Sequence, residues 1–345
     1  MRNLLEGFDP ASYTVVSRRP AHLGAVGVLP RSVGSRRLRG VLDRATEPAL
    51  TAALAGLIAS RRIAVVLATY PDLVHLAAAE RAARITGTPL VGYLHDTVTA
   101  ASTHRGRAKR AARVEARVWE NAHHVFVMSQ GMATLAAREG HAATPLEHVY
   151  PEGLGDPPTD PPDPVALWAG NVYEINAHAV ARVSDAVGRA GLDMVFAGPK
   201  TVEQLAALGI RGDHVKTTFY ADRKSYLEAL GRASLLVLAL DGDDESEVHR
   251  DELSTIFPTK TPEYVASGRP ILVHCPKDWF LHTFAEERGF AECVSDRTPE
   301  ALDAAVRGAL ANGPGRLAAC RSTSATFDAA VLRDRLQEAL DAAVA

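Results

Sequence analysis

The sequence predicts an α/β fold of two Rossmann-like domains, each a parallel sheet with helices on both faces. Three observations lead there. Short apolar runs such as Ile63–Leu67 alternate with stretches of helical apolar spacing, the pattern of strands buried on both faces between crossover helices. The alternation halts at PEGLGDPPTDPPDP, from Pro151 to Pro164, where six prolines and two glycines remove helix and strand options, and it restarts beyond. The length of 345 residues suits two domains of roughly 150 residues rather than one core. The division expected is a first domain over 1–152, a hinge over 153–164, a second domain over 165–325, and a C-terminal helix over 326–345 packing back on the first domain.

In chain order, Met1–Gly7 reads as the end of a helix, closed by Gly7 and followed by Asp9-Pro10. Tyr13–Val16 and Ala25–Leu29 read as short strands. A basic loop over Arg31–Gly40 carries Arg31, Arg36, Arg37 and Arg39. Pro48–Ser60 has helical spacing at Leu50, Leu54, Leu57 and Ile58. Strand Ile63–Leu67, a helix from Pro71 to about Thr86 and strand Pro89–Leu94 follow. Arg105–Asn121 is a helix, Val125–Met128 a strand, and Ser129 the cap of a helix running to Arg138.

Beyond the proline segment, strand Val165–Ala169 leads through Gly170-Asn171 into a helix from about Asn176 to Ala190. Strand Met194–Ala197 is followed by Gly198-Pro199-Lys200 and a helix to Leu208. Val215–Phe219, a helix and Leu235–Leu240 come next. An acidic segment then runs from Asp241 to Glu252; it lacks the ordered ligand spacing of an EF-hand and reads as a mobile solvated lid. STIFPTKTPEYVASGRPILVHC, from Ser254 to Cys275, reads as a polar loop, a helix opening after Pro258, a stop at Gly268 and a buried strand Pro270–His274. A strand near Ala291–Val294 and helices from Pro299 and Ala325 complete the chain.

Composition excludes several classes. Apolar residues make up 47% and charged residues 23%, the balance of a globular chain rather than a disordered one. A net charge of -3 gives no reason to propose nucleic acid as a partner. Three cysteines without C-x-x-C spacing fit a reducing compartment and neither a disulfide frame nor a zinc site. No apolar run approaches the length of a membrane span and no signal-peptide core is visible, so a cytoplasmic location is expected. G-x-G-x-x-G after a strand, the P-loop lysine motif and G-x-S-x-G are all absent, which counts against a nicotinamide dehydrogenase, a P-loop kinase and an α/β hydrolase.

Open α/β sheets place ligands at strand carboxyl ends, so residues just after strands are the candidates. Lys260 and Glu263, three apart on one helical turn, would join a cation, free N–H groups and a carboxylate into a phosphate-and-ribose reader. An ordinary amphipathic helix with a solvated Lys–Glu pair accounts for the same spacing. His95 could exchange a proton near neutral pH, and Asp96 could hold its tautomer or a sugar hydroxyl. A structural histidine beside a helix-capping aspartate explains that pair more simply. Gly170-Asn171 would let phosphate or sugar approach the backbone, and Lys200 reads equally as solvated or phosphate-binding. Arg105, Lys109, Arg113 and Arg117 form one row on a helix, with Val114 and Val118 turned away. Such a row meets an anionic membrane or lipid phosphate, or is simply a solvated face.

The proline hinge with VYPEG, the LWAGN opening of the second half and above all FPTKTPEYVASGRPILVH resemble the retaining GT-B glycosyltransferases of family 4 over nearly the whole chain. The resemblance implies two Rossmann-like domains facing across a cleft, and hexosyltransferase-like transfer from a nucleotide diphosphate sugar with anomeric configuration kept. It implies no cofactor and no metal, a glycan, glycolipid or small-molecule acceptor, and a place in polysaccharide biosynthesis. By it, Glu263 binds the nucleotide ribose, Lys260 meets the diphosphate, the Gly170 loop lies beside the donor and His95 faces the reacting sugar. The expected catalytic pair is therefore His95 and Asp96. The expected donor set is Gly170, Asn171, Lys200, Thr255, Pro258, Thr259, Lys260 and Glu263. Arg36, Arg37, Arg105, Lys109 and Arg113 are expected on the acceptor or membrane side.

Three positions depart from the family pattern. Thr255 stands where a second glutamate often contacts the donor sugar, Asn171 replaces a common basic residue, and the first strand with its Gly-Gly loop is expected to be missing. A degenerate GT-B scaffold that binds without chemistry, and a sugar-nucleotide epimerase on the same fold, remain as alternatives.

Overall fold

A computed structural model describes residues 2–17, 26–27, 36–98, 105–150, 162–173 and 175–345, with the backbone alone for 2–3, 17, 26–27, 36–45, 105–107 and 314. The chain divides into two compact units, one comprising Met1–Glu147 with Ala329–Ala345 and the other His148–Asp328.

The first unit opens with α1 (Arg2–Leu5), and β1 (Val16–Ser17) and β2 (Val26–Gly27) pair in a parallel ribbon of their own. Its main sheet is parallel, with strands β3 (Val66–Tyr70), β4 (Leu90–Leu94), β5 (His124–Val127) and β6 (Thr144–Pro145) in that spatial order. The strand expected at Ile63–Leu67 lies three residues later. Arg62 takes the left-handed conformation and the Ile63 N–H returns to the Ile58 carbonyl, so these residues close the preceding helix instead. That helix, α2 (Arg36–Arg61), also starts earlier than expected and takes Arg36 and Arg37 out of the basic loop. Pro48 does not stop it, because the proline sits on an exposed face where water can bond the carbonyl it leaves without a donor.

Next come α3 (Leu73–Thr86), α4 (Arg105–Asn121) and α5 (Gln130–Arg138). Asp72 caps α3 through the Val74 and His75 N–H groups, and Ser129 caps α5 through the Met132 N–H. The last helix, α14 (Ala329–Val344), belongs to this unit. It buries Leu332, Leu336, Ala339 and Ala343, a one-face spacing, and Arg333 and Arg335 donate to the carbonyls of Leu4 and Pro145.

The second unit holds one parallel sheet of β7 (Asp163–Ala169), β8 (Asp193–Ala197), β9 (Val215–Thr218), β10 (Ala233–Ala239), β11 (Ile271–His274) and β12 (Glu292–Val294). Its order is β12-β11-β10-β7-β8-β9, so the winding reverses beside β7 and β10, the switch point where doubly wound sheets take ligands. Leu235, Val237 and Ala239 pack into one core and Leu236, Leu238 and Leu240 into another. Burial on both faces is why the strand reads as unbroken apolar sequence. Strand β7 begins at Asp163, inside the segment read as hinge, where Arg232 pairs with its carboxylate and the Ser234 hydroxyl bonds its carbonyl. The rest of that segment, 151–161, lies outside the described residues.

Helices α6 (Ala177–Arg189), α7 (Val202–Ala206), α8 (Arg223–Arg232), α9 (Arg250–Thr255), α10 (Thr261–Ser267), α11 (Phe280–Arg288), α12 (Pro299–Asn312) and α13 (Leu317–Ser324) cover the sheet. Here the acidic segment departs most from expectation. It ends in α9 with Glu252 buried, and it starts with Asp241, which is fully buried. Asp241 accepts from the His178 and Ala179 N–H groups and so caps α6, while Arg182 binds Glu245 through both nitrogens. Carboxylates committed to helix ends and guanidinium groups hold this segment to the fold; it is not a solvated lid.

Candidate active site

Two glycine turns sit side by side at the carboxyl edge of the second sheet. Ala169 and Ala197 end β7 and β8 in register, and the Gly170 N–H donates to the Ala197 carbonyl at 2.8 Å. Gly170 has φ of 101°, a conformation that disfavours any side chain. At Gly198 a Cβ would lie 2.5 Å from the Gly170 carbonyl oxygen, so the backbones can meet this closely only without one. Next to them Asn171 Oδ1 is buried without a hydrogen-bond partner among the described residues. Lys200 immediately precedes Thr201, which caps α7 in a reciprocal box with Gln204.

The stretch from Ser254 folds differently from its reading as a helix after Pro258. The Pro258 carbonyl accepts from the Thr261 N–H in a turn, and α10 starts only at Thr261. Thr261 thus uses its N–H and Pro262 has none, so this helix opening offers fewer donors than the spacing suggested. Tyr264, which sequence reasoning passed over, anchors α10 to the end of β7: its hydroxyl accepts from the Ala169 N–H at 2.8 Å. Thr259 is exposed, whereas the Thr255 hydroxyl turns back to the Asp251 and Glu252 carbonyls of its own helix.

Lys260 and Glu263 do not share one environment. The Lys260 amine lies 2.9 Å from the centre of the Trp168 ring and 5.9 Å from that of Tyr264, with no carboxylate partner among the described residues. The ring face favours the ammonium by about 2 kcal/mol, but burial away from water opposes it more strongly and pushes the lysine well below its ordinary range. Glu263 has a partner on each oxygen: Arg223 Nη1 donates to Oε1 and the Tyr226 hydroxyl to Oε2, both at 2.6 Å. Burial, foremost, raises the Tyr226 phenol, which stays protonated as the donor. Nothing in local spacing announced Trp168, Arg223 or Tyr226, since the first lies on β7 and the other two on α8, all remote in sequence from α10.

At the end of β11, the neighbour of β10, His274 is 1% exposed. Its Nδ1 lies 2.9 Å from the Val294 carbonyl and its Nε2 3.2 Å from Arg182 Nε, so the ring is neutral with the proton on Nδ1. Burial, the leading cause, lowers its pKa to about 4.

In the first unit, His95 and Asp96 follow β4. The His95 ring packs edge-on against Tyr93 at 4.3 Å, and Tyr93 is fixed by donating to the Leu146 carbonyl at 2.6 Å. Burial raises the pKa of Asp96. On α4, Ala111, Val114 and Val118 are buried while Lys109 and Arg113 are exposed. Arg117 leaves the basic row, because its guanidinium binds the buried carboxylate of Glu80 at 2.9 Å. The side chains of Arg36, Arg37 and Arg105 lie outside the description. Among the described residues, no cluster of three or more metal-binding side chains occurs, and no helix is long and apolar enough to cross a membrane.

Residues 4–152 match the family model described as a glycosyl transferase 4-like domain. No curated protein sequence matches the chain. Among solved structures, it is similar to sucrose-phosphate synthase from Thermosynechococcus elongatus, with a TM-score of 0.66 at 14% identity over 91% of this chain and 81% of that one. It is similar to a glycosyltransferase from Rickettsia africae, with a TM-score of 0.64 at 11% identity over 99% and 94%. It is also similar to Anabaena HepE, solved in complex with UDP, with a TM-score of 0.61 at 14% identity over 85% and 82%. The chain therefore carries a glycosyl transferase 4-like domain over residues 4–152 and has the two Rossmann-like domains of the GT-B glycosyltransferases.

Proposed function

We propose that this glycosyltransferase takes its sugar from a nucleoside diphosphate donor held by the second unit, and transfers it with retention to a glycan, lipid-linked or small-molecule acceptor. The observation that carries this reading is the pair of glycine turns after β7 and β8, where Gly198 allows the backbone to approach within reach of Gly170. Side-chain-free backbone at strand carboxyl ends is what a phosphate or sugar needs for close approach. Asn171 Oδ1, buried and unpartnered among the described residues, is an acceptor for a donor hydroxyl.

In this reading Lys260 meets the diphosphate and Glu263 accepts from the ribose. The bond from the anomeric carbon to the diphosphate breaks and a bond to the acceptor oxygen forms. The acceptor's proton leaves with the departing phosphate or through a side chain. Negative charge grows on the diphosphate, and an ammonium held out of water stabilises it far better than one in bulk solvent. We assign His95 and Asp96 to the reacting sugar; the raised pKa of Asp96 suits proton exchange nearer neutral pH. No metal is assigned a step. Gly170, Asn171, Lys200, Pro258 and Thr259 belong to the donor side, and Thr255 is left with a role inside α9.

Titration of the protein with UDP and UDP-glucose by calorimetry tests the donor, and transfer or hydrolysis above background tests the chemistry. Absence of binding by any common nucleoside diphosphate sinks the reading. A cytoplasmic protein with peripheral contact through the α4 face, where Lys109 and Arg113 are exposed, is the accompanying proposal. Failure to bind anionic liposomes at low salt removes it.

A further inference from the structure

Glu263 is the one acidic residue of α10, and what surrounds its carboxylate was not expected. Each oxygen already accepts one bond from α8, from Arg223 and from Tyr226. A carboxylate offers about four lone-pair sites, two on each oxygen. Among the described residues the α8 contacts take one on each, which leaves one on each. Two acceptor sites on one rigid carboxylate match the two adjacent hydroxyls of a vicinal diol. The Glu263 side chain keeps 20% exposure, so the remaining sites are not sealed off by protein.

The two partners differ in firmness. Tyr226 is partly buried, carries a short planar side chain and remains a donor across the physiological range because burial raises its phenol. Arg223 is 41% exposed, with its guanidinium also 6.0 Å from the Tyr150 ring centre, and an exposed pair of this kind contributes little on its own. An unsupported glutamate has three free torsions and would have to be ordered when ligand arrives; a glutamate already held by two donors has less to lose.

We propose that Tyr226, assisted by Arg223, is a positioning residue that orients Glu263 for a ribose 2′,3′-diol and so sets selection of ribonucleotides over deoxyribonucleotides. This rests on the reading of Glu263 as the ribose acceptor. Neither α8 residue touches the reacting atoms.

The test is calorimetric titration of the full chain with UDP and with 2′-deoxy-UDP. Wild type is expected to bind UDP more tightly. Tyr226→Phe removes the hydroxyl, keeps the ring, and is expected to weaken UDP about ten-fold while shrinking the ribo-to-deoxyribo ratio at least about three-fold. Arg223→Met is expected to change the ratio by less than about two-fold. A purely structural role for Tyr226 would weaken both nucleotides alike, and an unchanged ratio overturns the proposal. Glu263→Gln separates the two readings. If it abolishes the discrimination while Tyr226→Phe does not, Glu263 reads the ribose and the positioning role fails. If it leaves affinity and ratio intact, the ribose reading itself fails.

Discussion

Lys260 and Glu263 stand three residues apart at the start of one helix, yet the fold treats them in opposite ways. Glu263 is a charge with two donors in place and some exposure. Lys260 is a charge-capable group laid on an aromatic face with no anion to meet it among the described residues. The first is a compensated group; the second, partly exposed at its surface, has no carboxylate among the described residues to offset the desolvation that disfavours its charged form.

Measurements on His274, Lys260 and Glu263 test that contrast. The largest effect concerns His274, a buried base that does have partners. Its pKa falls from about 6.5 in the unfolded chain to about 4, so well above pH 6.5 both states are neutral and it has no pH effect. As pH falls from 6.5 to 4 the unfolded state takes up a proton that the folded ring refuses, and stability falls by roughly 3 kcal/mol. Urea unfolding at pH 7 and pH 4 checks this, with His274→Gln expected to lose correspondingly less.

Next is Lys260→Met, which keeps the apolar stem on Trp168. Nucleoside diphosphate affinity should drop by about 2 kcal/mol while stability rises by about 1 kcal/mol. Loss of stability in the variant would show that the Trp168 contact outweighs the burial penalty and would break the contrast. The smallest effect is Glu263→Gln, where two charge-assisted bonds weaken and stability should fall by about 1 kcal/mol, opposite in sign to the lysine variant. Equal signs for the two variants, read from urea midpoints, would mean that the two environments do not differ energetically as described.

Much of the fold was legible because burial on both faces leaves unbroken apolar runs. Leu235–Leu240 matches β10 to within two residues, and Arg105–Asn121 matches α4. The cap at Ser129 follows a local rule that needs no tertiary partner. Two misreadings fell where a residue's partner is distant in sequence. Asp241 looked solvated because acidic runs usually are, but its partners on α6 lie more than sixty residues earlier. Arg117 looked like part of a surface row, but Glu80 on α3 claims it.

The glycines at Gly170 and Gly198 could be noted as turns from sequence, whereas their mutual approach depends on β7 and β8 being neighbours. By itself, then, the order of residues determined the two α/β halves, the strand ends and the residue types gathered there, because periodicity and turn chemistry are local properties. Tertiary structure decided which of those polar groups still has a lone pair or a charge to offer. A hydrogen bond has to be made by a second group, and that group can come from any element the fold brings near.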